Sequence, residues 1–190
     1  MTMMSKKYLP SALLATAATA LVCAHAFTAS APSGSASTAL TSVVLTDRAT
    51  VESPQKLAAL SDVVAFGQFT AVVGTGLGSQ FGMATAGLGD PQVEVWNFHV
   101  SRYLRGTGEA DLRVVRYNSS TVTSGESTIE TAVPALVFLS GVHGGARVVI
   151  GGDQGLAYVG TTGFTRVVGT QTVPGMQGST VDAIAALVRP

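Results

Sequence analysis

Charge is scarce in this chain: 12% of its 190 residues are Asp, Glu, Lys or Arg, against about 25% in ordinary soluble proteins. That composition excludes a strongly charged disordered chain. Acidic and basic side chains balance at 11 each, so no excess of cations marks a surface for DNA, RNA or an anionic membrane. Aromatic residues make up only 6% of the chain while hydrophobic residues reach 46%, so the apolar content is carried mainly by Ala and Val. There is one cysteine, Cys23, and there are three histidines. What is plentiful is glycine, with 22 residues against a usual share of about 7%, set among β-branched runs.

The first 26 residues have the layout of a secretory signal. Lys6 and Lys7 supply a positive start, residues 9–22 form an uncharged apolar stretch, and Ala24-His25-Ala26 offers the small residues of a cleavage site. The apolar stretch is shorter than the roughly 20 residues of a membrane span. Cleavage after Ala26 removes Cys23, which excludes disulfides in the mature chain. It also takes away Lys6 and Lys7, leaving 9 basic side chains against 11 acidic ones and a formal charge of −2. Cys23 could instead carry a lipid anchor, but Val22 stands where such a cysteine is normally preceded by a small residue. The expected location is therefore the secreted fraction or the cell envelope.

Residues 27–42 are rich in Ser, Thr, Ala, Gly and Pro without an apolar period and read as a flexible tether. A single domain is expected over 43–190. Ser53-Pro54 ahead of Leu57 and Leu60 has the signature of a short helix, and residues 63–73 read as a long buried strand. The six glycines within 74–91 predict a long loop. Residues 93–104 alternate Trp96, Phe98 and Val100 with Asn97, His99 and Ser101, the period of a strand with one buried face. A Gly-Thr-Gly turn leads to a partner strand over 112–117. Further short strands are expected over 135–139, 147–150, 156–159 and 164–168, the first closed by glycines at 141–145. Ser179 and Asp182 suggest a capping box for a C-terminal helix whose buried face holds Val181, Ile184 and Val188. The expected class is all-β: a small OB-like antiparallel barrel of five to six strands, with a short leading helix and a C-terminal helix.

Four stretches carry a family resemblance. Residues 60–67 (LSDVVAFG), 98–106 (FHVSRYLRG), 134–139 (PALVFL) and 151–155 (GGDQG) occur in an order similar to that of a group of secreted bacterial domains. That group resembles the OB-fold-like module of netrin C-terminal domains and tissue inhibitors of metalloproteinases, and most of its members have no assigned activity. The resemblance implies topology rather than chemistry. Metalloproteinase inhibitors of this fold place an N-terminal cysteine on the protease zinc, and a chain beginning at Phe27 offers none.

The chemical motifs are sparse. Gly74-Thr75-Gly76-Leu77-Gly78-Ser79 has serine where a dinucleotide fingerprint needs its third glycine, and no Gly-Lys-Ser/Thr of a phosphate loop is present. Two histidines remain after signal removal, and His99 with His143 and Asp153 lacks any ligand pair at metal spacing. His143-Gly144-Gly145 is similar to an oxyanion turn, but no Gly-x-Ser-x-Gly elbow supplies a nucleophile. No cofactor or metal is therefore expected. The favoured reading is an exported, non-catalytic binding domain for a protein or glycan, with His99, Arg102, Tyr103 and His143 as contact residues. The alternatives are an exported hydrolase using the His143 turn and a protease inhibitor acting through the 74–89 loop.

Overall fold

Two strands of unusual length, β2 (Val63–Leu77) and β3 (Gln92–Arg105), form the spine of the molecule. The computed structural model describes residues 51–83, 90–118, 127–169 and 172–189, together with the backbone of 43–44 and 122–123. The expected signal and tether lie outside the described residues. The other elements are β1 (Val43–Val44), α1 (Pro54–Ala59), β4 (Asp111–Tyr117), β5 (Val122–Thr123), β6 (Pro134–His143), β7 (Ala146–Val149), β8 (Leu156–Val159), β9 (Thr165–Val167) and α2 (Val181–Val188). Two 3-10 turns, Gly78–Phe81 and Gly152–Gly155, are also present among the described residues.

Five strands close into a ring. The hydrogen-bonded order is β2-β3-β4-β7-β6, and β6 returns to β2 from Val63↔Leu139 to Gln68↔Pro134. All contacts in the ring are antiparallel except β4 with β7, which run parallel through Val114↔Arg147 and Val115↔Val148. The free edge of β6 next carries β8 through Ala135↔Tyr158, and β9 pairs with β8. Backbone pairing of β1 with β5 forms a separate two-stranded parallel sheet.

Alternation along the strands sorts the apolar side chains into three groups. Ala65, Phe69, Phe98, Val100, Val114, Val137, Leu156 and Tyr158 pack together as one group. Phe69 meets Phe98 edge-to-face with centroids 4.8 Å apart. Val64, Leu136, Phe138 and Ala157 have the opposite parity and pack against Leu57 of α1, Ile184 and Val188 of α2, and Met176. Val93, Val95, Val115 and Ala146 form the third group, joined by Phe81 and Met83 from the β2–β3 connection. Fully burying each such side chain stabilises the fold by about 1.5–3 kcal/mol.

The helices follow their local sequence. Ser53 caps α1 by accepting the Lys56 N–H, and Pro54 occupies the first turn. At α2 the cap is Thr180, which accepts the Ala183 N–H, so the cap falls one residue beyond the one expected at Ser179. The Ser179 hydroxyl donates to the Gly175 carbonyl at 2.6 Å and serves the preceding turn instead. Among the described residues, no helix is long and apolar enough to cross a membrane.

Three further expectations change. The glycines at 74 and 76 lie within β2, paired with Val95 and Val93, so the expected loop begins only after Leu77. Its residues 84–89 lie outside the described residues. The glycines expected to close β6 do so later, because the strand runs on to His143 and turns at Gly144-Gly145. Tyr103, which the alternation of 93–104 would continue onto the polar side with His99 and Ser101, is half-buried and packs against the first apolar group. The register explains this: Gly67 faces Val100 but Phe66 faces Arg102, so Ser101 is an extra residue that reverses the parity beyond it.

Candidate functional site

The face that carries Val115 and Val148 is covered from two sides. Leu57 and Ala58 anchor α1 on one side, and the Phe81 and Met83 side chains fold over the other. Between these covers lies an open groove of about 670 Å³, within the size range of small-molecule sites. Its floor is formed by Val115, Val148, Val149 and Ile150. Leu60 and Val51 form one wall, and Phe81, Met83 and Tyr117 another. Leu60 is 57% exposed, so apolar surface continues out to the mouth on the α1 side.

The groove depends on tight turns. Gly144 has φ +56°, and a Cβ there would overlap the Gln80 carbonyl oxygen, so this glycine lets the β6–β7 hairpin sit against the 78–81 turn. Gly82 lies against the His143 ring, where an added Cβ would come 3.5 Å from Cγ. Behind the opposite end, the Gly151-Gly152-Asp153-Gln154-Gly155 stretch is a buried turn with φ of +67° and +61° at its first two glycines. Its polar side chains tether neighbouring segments. Gln154 Oε1 accepts the Val51 N–H at 2.7 Å, and Asp153 Oδ2 accepts both the N–H and the hydroxyl of Ser127 at 2.8 and 2.9 Å.

Among the described residues, five titratable side chains border the groove: Glu52, Lys56, Arg116, Tyr117 and His143. Arg116 is buried and donates from Nη2 to Asp153 Oδ1, so its charge has a partner within the protein. Lys56 is exposed, and its ammonium group has no hydrogen-bond or ion-pair partner among the described residues. Ser140 also borders the groove, but its hydroxyl donates to the Gly141 carbonyl and accepts the Val148 N–H, each at 2.9 Å. Its hydrogen bonds thus go to backbone rather than to His143, which leaves the hydrolase arrangement without an activated hydroxyl at this position.

Of the four expected contact residues, only His143 borders the groove. His99 lies on β3, exposed, with Nδ1 3.0 Å from Asp111 Oδ1, and Asn97 Nδ2 approaches the same oxygen at 3.4 Å. Arg102 donates to Asp182 at 2.8 Å, which ties β3 to α2. The Tyr103 hydroxyl donates to the Glu109 carbonyl at 2.6 Å, and burial raises its pKa above the ordinary value. Asp153, grouped in the sequence with the two histidines, is occupied by Arg116 and Ser127. Among the described residues, no three His, Cys, Asp or Glu side chains gather as a metal site. The groove residues that sequence reasoning missed include Glu52, Lys56, Leu60, Tyr117 and Val148, whereas Phe81 and Met83 fall inside the 74–89 stretch that the inhibitor alternative invoked without singling them out.

No family model matches the chain, and neither a curated protein nor a solved structure matches it.

Proposed function

We propose that the protein is an exported, non-catalytic binding domain built on an OB-like barrel of the netrin and metalloproteinase-inhibitor kind, with the groove as its contact surface. The observation that carries this reading is where the groove lies. It is bounded by the β2–β3 connection, through Phe81 and Met83, and by the β6–β7 hairpin, through His143. In OB folds the connections between strands 1 and 2 and between strands 4 and 5 flank the ligand face. If β2, β3, β4, β6 and β7 are counted as strands 1 to 5, the ring closes in the order 1-2-3-5-4-1. The apolar lining and the near-neutral charge favour an apolar ligand or segment over a nucleic acid.

The test uses N-phenyl-1-naphthylamine, an uncharged apolar fluorophore, on the purified protein. Saturable fluorescence enhancement is expected. Leu60→Glu and Met83→Glu should each abolish it while changing the thermal midpoint little, since Leu60 is exposed and Met83 lies at the edge of its cluster. Unchanged binding in both variants would overturn the assignment of the groove. Export is tested separately by the intact mass of the native protein: a chain starting at Phe27 supports release, and a diacylated chain starting at Cys23 supports a membrane anchor.

A further inference from the structure

We infer that the groove takes a single-chain amphiphile with an apolar body and one anionic head, the head meeting Lys56 at the rim. The inference rests on the reading of the groove as the contact surface and adds the chemistry of its occupant. The apolar part follows from the floor and walls. A molecule lying on Val115, Val148 and Ile150 between Phe81 and Leu60 would remove apolar surface from water on several sides at once. A sugar or nucleotide would instead bring hydroxyls or phosphates onto aliphatic side chains that return no hydrogen bonds.

The sign of the head follows from which charges in the lining are already satisfied. Arg116 is neutralised by Asp153. Lys56 projects from α1 one turn beyond the Ser53 cap, beside the apolar Leu60 wall, with no counter-ion among the described residues. His143, on the facing hairpin, is a second basic group with no ion pair among the described residues. The single carboxylate in the lining, Glu52, is also exposed and without an ion pair among the described residues; it lies outside α1, ahead of its cap, and stands alone against the two basic side chains Lys56 and His143. Basic groups thus flank the apolar floor from both covers. A neutral head leaves Lys56 to water, and a cationic head adds repulsion, whereas a carboxylate forms a partly exposed ion pair with it.

The experiment compares dodecanoate, dodecanol and dodecyltrimethylammonium, each below its micelle concentration, by titration calorimetry on the purified protein. Dodecanoate is expected to bind more tightly than the trimethylammonium compound by about fivefold or more, the size of one partly exposed charge pair. Lys56→Glu should remove or reverse that preference, and Glu52→Gln should preserve or enlarge it. Both positions are exposed, so both variants should fold. Equal affinity for the three heads, or tighter binding of the cation, overturns the inference while leaving the apolar groove standing. Failure of all three to bind, with the uncharged fluorophore also failing, overturns both.

Discussion

Tyr158 is the largest wholly buried side chain among the described residues, and its hydroxyl accepts the Glu130 N–H at 2.6 Å while the Arg166 guanidinium lies 5.4 Å from the ring centroid. Burial is the main cause that raises its pKa above the ordinary 10.0, against smaller lowering contributions from the Glu130 hydrogen bond and the nearby arginines. The folded chain therefore holds this proton more tightly than the unfolded chain does. Its stabilisation is fully present below pH 10 and is lost as pH rises through the folded value. Tyr158→Phe is expected to cost about 1 kcal/mol at neutral pH through the lost hydrogen bond and to flatten the alkaline loss. Urea melts at pH 7 and above pH 10 measure both effects, and an alkaline slope unchanged by the substitution would point to another group. The Arg116–Asp153 pair obeys a different rule. Both side chains are buried, and Asp153 also holds Ser127, so Asp153→Asn should destabilise by about 3–5 kcal/mol because a charged guanidinium loses its counter-ion. Replacing both partners with apolar residues, as in Arg116→Met with Asp153→Leu, should cost less than the single change, and chemical denaturation of the two variants decides it.

At the scale of elements, β2 is held unevenly. Its first half pairs with β3 on one edge and β6 on the other, but beyond Phe69 only β3 remains as a paired strand among the described residues. Val72 and Val73 are exposed there, and Thr70 and Val73 are extra residues in the register with β3. This edge carries no charge, so its bulges are the feature that discourages pairing with another chain. Amide exchange is expected to be markedly faster over 70–77 than over 63–68, though both belong to one strand, and uniform protection along β2 would contradict the pairing. Gly67 shows the other side of bulge geometry. A Cβ there would overlap the His99 carbonyl oxygen, so Gly67→Ala should cost at least the 1–3 kcal/mol typical of overpacking, seen as a lowered thermal midpoint. The α1 cap, the β3–β4 hairpin and the β6 core run were all legible, because each is set by neighbours within a few residues. The extension of β2 through Gly74 and Gly76 was not, because glycine weakens a strand locally and only the pairing with Val95 and Val93 restores it. Nor was the parity of Tyr103, since a bulge at Ser101 belongs to a pair of strands and leaves no mark on one.

Across the whole molecule, the groove is what remains when two covers fail to meet. α1 is drawn onto Val64, Leu136 and Phe138 by its Leu57, and Phe81 with Met83 is drawn onto Val93 and Val95. β7 lies between them with Val148 half-buried. The sequence by itself determined the mostly β composition, the short helices and the parity of Trp96 and Phe98, since these follow from propensity and from periods of two and 3.6 residues. It also placed Asp153 and Gln154 in a glycine-bounded turn. Only the tertiary structure decided that Arg116 would neutralise Asp153, that His143 would stand across from α1, and that His99, Arg102 and Tyr103 would lie outside the groove. These outcomes depend on which strand closes beside which. The parallel pairing of β4 with β7 brings together residues 33 positions apart, Val114 with Arg147 and Val115 with Val148. Ring closure of this kind is fixed by the summed burial of many side chains rather than by any segment's own pattern.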